Sequence, residues 1–206
     1  MMTLLVGSNN EHKAAELRTI LEIRHLARMV MPADVPHFPI NIPETGSTLE
    51  ENAYIKANTI AHQTLFQPAN VIDACLADDT GLEVDALRGA PGVYSARYAG
   101  ESANDAANRA KLLHELADIS PNARTARFRT VICYTDALRT VFAEGVCEGV
   151  IATEERGSHG FGYDALFIPK GFTQTFAELA PEVKNTISHR SKAIERLAEV
   201  LAELQM

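Results

Sequence analysis

The chain has 206 residues, 46% of them hydrophobic and 22% charged, and 19 Lys+Arg against 27 Asp+Glu leave a net charge of −8. This composition is globular and excludes a disordered, collagen-like or coiled-coil chain. So acidic a chain does not hold nucleic acid through one broad basic surface, although a cation cluster or a divalent metal would let it bind a small polyanion.

Thr3 to Gly7 is a short apolar run ending in Ser8-Asn9-Asn10, which reads as a buried strand feeding a capped helix. That helix carries Ala14, Leu17 and Leu21 on one face. Pro32 to Pro43 holds four prolines and reads as irregular chain or edge strand. Thr48 to Glu51 matches a capping box, and Ala53, Ala57, Ile60 and Ala61 follow at helical spacing. Val71 to Ala77 is a second apolar strand that stops at Asp78-Asp79, and the glycine-rich stretch from Gly81 to Gly100 reads as loop. Ala106 to Leu116 reads as helix. Phe128 to Tyr134 and Thr140 to Ile151 read as antiparallel strands joined near Asp136. After a glycine-rich loop from Glu154 to Asp164, Leu166 to Ile168 is a short strand. Ser191 to Leu204 is the clearest helix, with Ile194, Leu197, Ala198, Leu201 and Leu204 in one stripe.

Interleaved strands and helices argue for an α/β fold with a mixed sheet, one domain over residues 1–206. Cys75, Cys133 and Cys147 sit in apolar, strand-like surroundings and read as reduced core thiols. No apolar run approaches the roughly 18 residues of a membrane span, and Met1 to Val6 lacks the basic start of a signal peptide. A soluble, cytoplasmic protein is expected.

The chemistry-bearing segments each admit a plain reading beside a functional one. Ser8-Asn9-Asn10-Glu11-His12-Lys13 lies where a strand feeds a helix. Its backbone N–H groups favour an anion, and Lys13 in the first turn opposes the helix dipole and gains from a phosphate. The same residues also fit an ordinary cap with an exposed lysine. The Asp78-Asp79 pair would be relieved of its mutual cost by Mg²⁺, which takes one or two carboxylates plus phosphate oxygens; a solvated loop start fits equally. Adjacent strand residues face opposite ways, so one aspartate is expected to point into a given site. Glu44 is a candidate second metal carboxylate, whereas Glu51 is explained by the capping box. Asn52 and Lys56 share a helix face, which a solvated polar surface also explains.

Gly160-Phe161-Gly162-Tyr163-Asp164 lacks the third glycine of a dinucleotide fingerprint and precedes a strand. Its aromatics would suit a flat base or a tight turn with core rings. Lys184, His189 and Arg190 offer donors before the last helix, suited to an acceptor-rich ligand or to a merely basic helix start. The remaining histidines show no ligand spacing. Together the segments point to an anionic ligand with a metal and a flat group, that is, a nucleotide phosphate.

In order along the chain, these segments resemble the inosine triphosphate pyrophosphatase family, the Ham1-like enzymes of non-canonical purine nucleoside triphosphates. The family's Ser/Thr-x-Asn-x-x-Lys is matched by Ser8 to Lys13. Its Glu-Thr-Gly-x-Thr-x-x-Glu-Asn-Ala-x-x-Lys-Ala is matched by Glu44 to Ala57. Its Asp-Asp-Ser/Thr-Gly-Leu is matched by Asp78 to Leu82, with Gly89 to Tyr98 following. Its Gly-Phe-Gly-Tyr-Asp and Lys-Asn-x-x-Ser-His-Arg are matched by Gly160 to Asp164 and Lys184 to Arg190. The resemblance implies a long mixed β-sheet flanked by helices, in two lobes with the active-site cleft between them. It also implies a homodimer, and Mg²⁺-dependent cleavage of ITP, dITP and XTP to the monophosphate and pyrophosphate.

By the same resemblance, Asp79 is general base and metal ligand and Glu44 the other metal carboxylate. Ser8, Asn9, Asn10, Glu11, His12, Lys13 and Lys56 would hold the triphosphate, and Thr80 would touch the substrate beside Asp79. Phe161, Gly162, Tyr163 and Asp164 would cradle the base, with Lys184, His189 and Arg190 completing its pocket. The chain departs from the pattern at Ala165, where Pro is usual, at Glu155, where Pro commonly precedes Arg156-Gly157, and at Val183, usually a charged residue. A Maf-like nucleotide pyrophosphatase and a nucleotide-binding module without turnover are the alternatives. The Phe161 to Asp164 loop with His189-Arg190 argues against the first. The pair Glu44 and Asp79 argues against the second.

Overall fold

The computed structural model describes residues 2–8, 10–23, 27–31, 34–35, 42–65, 72–102 and 104–204. Asn9, His25, His37, Val71 and most of the proline-rich stretch lie outside the described residues. One seven-stranded sheet runs in the order β2-β1-β3-β5-β6-β7, with β4 paired to β3. Its strands are β1 Thr3–Val6, β2 Arg28–Val30, β3 Ala74–Val84, β4 Pro91–Gly92, β5 Thr125–Asp136, β6 Thr140–Ile151 and β7 Phe167–Pro169. The helices are α1 Glu11–Ile23, α2 Leu49–Thr64, α3 Asp105–Glu115, α4 Pro181–Ile187 and α5 His189–Glu203. β1 pairs in parallel with β2 and β3, whereas β7 runs antiparallel to β6, so the sheet is mixed as expected.

The chain divides into two compact units. Unit 1 comprises residues 1–79, 130–145 and 190–206, and unit 2 comprises 80–129 and 146–189. In unit 1, Leu4 and Val6 of β1 and Leu76 of β3 pack with Leu17, Ile20 and Leu21 of α1 and with Ile194 and Leu197 of α5. The α1 and α5 residues recur at helical spacing, the strand residues at alternate positions, and each large one that is fully buried contributes about 1.5–3 kcal/mol. In unit 2, Phe128, Phe167 and Phe176 form the centre of a second core with Leu112 and Leu116. Their rings lie 4.7 to 6.1 Å apart.

Two elements differ from the sequence expectation. β3 does not stop at Asp78-Asp79 but continues to Val84, and a loop holds only from there onward, broken by short 3-10 turns and β4. The strand passes through two buried carboxylates because cations meet both of them. α4 was not expected; Pro181 sits in its first turn, where a missing N–H costs nothing.

Cys75, Cys133 and Cys147 are all buried free thiols. Burial pushes the Cys75 thiol up to about 11, against a smaller opposing bond from Thr64, and the Cys133 thiol up to about 12. The thiolate is the reactive form. At pH 8 the native protein is therefore expected to resist a thiol-specific reagent, and all three cysteines to react after denaturation; mass spectrometry before and after unfolding reads this directly.

Candidate active site

In unit 1 the chain turns from β1 into α1 through Gly7. A Cβ there would stand 2.0 Å from Ile60 Cδ1, so any side chain at this position would displace the end of the Ile60 side chain of α2. Ser8 Oγ accepts from Asn10 N at 3.3 Å, and Asn10 Oδ1 caps the helix by accepting from Lys13 N at 3.1 Å. Glu11 and His12 point to solvent. Lys13 reaches back along the helix to Asp78, Nζ to Oδ2 at 3.4 Å. Burial pulls the Lys13 ammonium below the ordinary lysine range; Asp78 opposes that shift, whereas Lys56 and Arg190 add to it by repulsion. A dianionic or trianionic ligand would relieve this crowding of cations.

α2 begins at Thr48, whose Oγ1 accepts from Glu51 N at 3.1 Å, as the capping box predicts. The reciprocal arm differs: the Glu51 carboxylate takes the N–H of Ser47 at 2.6 Å and its hydroxyl at 2.9 Å, one residue upstream of the expected partner. One turn on, Asn52 is fully buried and bridges two segments. Its Oδ1 accepts from Gly46 N at 2.8 Å and its Nδ2 donates to Asp79 Oδ2 at 3.2 Å. Lys56 Nζ donates to Asp79 Oδ1 and to Glu44 Oε1, both at 2.9 Å. Asn52 and Lys56 therefore form the buried face of α2, and a solvated polar face is excluded.

The two aspartates of β3 part company because successive strand side chains face opposite ways. Asp79 meets α2. Asp78 meets Lys13 of α1 and Arg190 of α5, whose Nε lies 3.7 Å from Asp78 Oδ2. Arg190 also bonds Glu16, Nη1 to Oε2 at 2.6 Å. Burial raises the Asp79 carboxyl above the usual aspartate range, against the pull of Lys56 and Lys13. Lys56 moves the other way: burial disfavours its charge, but Asp79, Glu44 and Asp78 together outweigh that and hold the ammonium above the ordinary lysine value.

Glu44 and Asp79 thus aim one oxygen each at a single point, now held by the Lys56 ammonium. Among the described residues no group of three or more His, Cys, Asp or Glu forms a metal-holding cluster. Two converging carboxylates with no nitrogen or sulfur donor fit Mg²⁺, which takes one or two carboxylates and fills its other positions with phosphate oxygens and water.

In unit 2 the Gly160–Asp164 segment forms a tight turn. Asp164 Oδ2 accepts from Phe161 N at 2.9 Å and from Lys184 Nζ at 2.5 Å. The Lys184 ammonium lies 5.2 Å from the Phe161 ring centroid, within cation–π range. Phe161 is only partly buried. His189 stacks on Phe128, with centroids 4.7 Å apart and planes 20° from parallel. Thr80, the first residue of this unit, is half-buried.

Both the sequence and the fold have relatives among known proteins. A family model described as Ham1 family matches residues 4–200. The chain belongs to the Ham1 family. A curated relative from Oceanobacillus iheyensis, a dITP/XTP pyrophosphatase, is 43% identical over 205 residues, 98% of each chain. Another from Porphyromonas gingivalis, of the same name, is 48% identical over 201 residues, again 98% of each. The solved Ham1 protein of Coxiella burnetii superposes with a TM-score of 0.82 at 41% identity, covering 98% of this chain and all of its own. That of Staphylococcus aureus gives 0.81 at 36%. The α/β fold with a mixed, helix-flanked sheet is the fold of this family.

Two expected ligand residues make firm contacts within the protein. Tyr163 is buried in the unit 2 core, and its hydroxyl donates to the Ser95 carbonyl at 2.8 Å, so it braces the turn. Arg190 belongs to unit 1, where its guanidinium is committed to Glu16 and Asp78. Sequence reasoning missed Glu16 altogether. Its spacing of three from Lys13 places both on one face of α1, which was the available signal.

Proposed function

We propose that the chain is a Mg²⁺-dependent pyrophosphohydrolase of non-canonical purine nucleoside triphosphates. It would cleave dITP, ITP and XTP to the nucleoside monophosphate and pyrophosphate, clearing deaminated purines from the cytoplasmic nucleotide pool, with the chain acting as one domain in a homodimer. The observation that carries this reading is the convergence of Glu44 Oε1 and Asp79 Oδ1 on Lys56 Nζ, each at 2.9 Å, in a member of the Ham1 family.

Lys13, Lys56 and the capped start of α1 with Ser8 would hold the triphosphate, each cation exchanging a carboxylate for a phosphate oxygen. Glu44 and Asp79 would hold Mg²⁺, which when bound neutralises phosphate oxygens and orders water. Asp79, made more basic by burial, takes a proton from the attacking water. The water oxygen bonds to the α-phosphorus, the bond from that phosphorus to the bridging oxygen breaks, and pyrophosphate leaves with the electron pair. Asn52 keeps the carboxylate in one orientation through Asp79 Oδ2. Phe161 would stack on the base, supported by Lys184 and Asp164, and Lys184 with His189 would present donors to its acceptors. Hypoxanthine and xanthine carry a 6-oxo acceptor where adenine has a donor amine, and an unmatched buried donor pair costs about 1–3 kcal/mol.

The test is pyrophosphate release from ITP, XTP, GTP and ATP, each with Mg²⁺ and with EDTA. Fast release from ITP and XTP alone, abolished by EDTA, is the expected result. Equal rates on all four would replace this reading with a general or Maf-like pyrophosphatase, and no release from any would replace it with a binding module.

A further inference from the structure

Two side chains of α3 grip both backbone groups of one residue in the Phe161 turn. Asp105 Oδ2 accepts from Gly162 N at 2.7 Å, and Arg109 Nη1 donates to the Gly162 carbonyl at 2.9 Å. The two residues are four apart and so stand on one face of α3. Arg109 is braced in turn by an ion pair: its Nε lies 3.0 Å from Glu155 Oε2, a charge contact without hydrogen-bond alignment. The helix that carries the grip is itself well anchored. Asn104 caps it by accepting from Ala107 N at 2.9 Å, and Leu112 is buried in the unit 2 core.

The turn needs such a grip. Gly162 has φ +60°, and a Cβ placed on it would meet no atom within 4 Å. That side of Gly162 is open, and its two peptide groups are fixed by the hydrogen bonds from α3. Asp164 holds Phe161 through the amide on its N-terminal side; the α3 pair holds the next residue on its C-terminal side.

We infer that Asp105, Arg109 and Glu155 form a clamp on Gly162 that positions the Phe161 ring for the substrate base. The inference rests on the reading that Phe161 stacks on that base. The three are positioning residues and touch no substrate. A guanidinium donating to a carbonyl is charge-assisted and directional, which suits it to fixing one peptide orientation.

The experiment is steady-state kinetics on XTP and dITP with Arg109→Ala, Asp105→Ala, Asp105→Asn, Glu155→Gln and Phe161→Ala, and the double variant Arg109→Ala/Phe161→Ala. Arg109→Ala is expected to raise KM roughly tenfold with kcat within about twofold, since the loss falls on binding. Asp105→Ala should act likewise, and Asp105→Asn should restore near wild-type KM because its amide oxygen still accepts from Gly162. Glu155→Gln, on a half-exposed side chain, should raise KM about threefold with the melting temperature unchanged, which keeps the test alive if an α3 variant folds poorly. The decisive result is non-additivity: in the Phe161→Ala background, Arg109→Ala should change nothing further. Independent, multiplying effects in the two backgrounds, or an unchanged KM in both Arg109→Ala and Glu155→Gln, would overturn the clamp. An unchanged KM in Phe161→Ala alone would overturn the stacking assignment itself, and the clamp with it.

Discussion

Asp79→Asn is expected to lower kcat on XTP and dITP by about 10²-fold or more while the protein stays folded. The two side chains have the same shape, so the β3 position and its packing are kept. The asparagine oxygen can still accept from Lys56, which now donates to Asp79 Oδ1 at 2.9 Å. The new amide would face the Asn52 amide, which donates to Asp79 Oδ2 at 3.2 Å and cannot turn round without giving up Gly46 N. That mismatch costs about 1 kcal/mol, small beside the loss of a proton acceptor. Rapid-quench measurement of a single turnover separates chemistry from release. A variant retaining more than a tenth of the wild-type chemical rate would show that Asp79 is not the base.

Lys56→Ala carries the largest expected effect on stability. Lys56 is 9% exposed and Asp79 5%, so their ion pair is buried, and its removal leaves the Asp79 carboxylate in the interior with Glu44 still facing the same point. Stranding a buried charge costs about 3–5 kcal/mol. Glu44 is one-third exposed, and water screens its share. At about 2–4 °C per kcal/mol for a chain of this size, the melting temperature should drop by roughly 6–20 °C at neutral pH. The sign of the pH dependence follows from Asp79, which burial raises above its ordinary value of 3.8. The native state then holds the Asp79 proton more tightly than the unfolded chain does. Stability is therefore lost as pH rises from the unfolded value through the raised folded one, and the deficit of the variant should shrink as pH falls toward 4. Thermal melts of both proteins from pH 4 to 8 would show it. A deficit that stays constant over that range would mean that lost packing of the lysine stem, and not the stranded carboxylate, accounts for the change.

Local patterns were read well where one face of an element is buried. The α1, α2 and α5 stripes, the β5–β6 hairpin with its turn near Asp136, and the Thr48 cap all follow from periodicity and capping chemistry within a few residues of sequence. The end of β3 was misread for a reason of the same kind. Two adjacent carboxylates look like the edge of a strand when only neighbours in sequence are considered. They are interior to the strand because Lys13, Lys56 and Arg190 arrive from other elements.

The order of motifs along the chain and the α/β class were legible in the amino-acid sequence alone, and the family resemblance carried by those motifs singled out Asp79, Glu44 and Lys56 as candidate site residues. Only the tertiary structure decided which partner each charge takes. Arg190 meets Glu16 across 174 residues of chain, Asn52 meets Asp79 across 27, and Arg109 meets Gly162 across 53. It also turned Tyr163 inward to Ser95. Such pairings leave no periodic trace, because the residues that make them lie on elements brought together by burial of their apolar faces and not by any local preference of the chain.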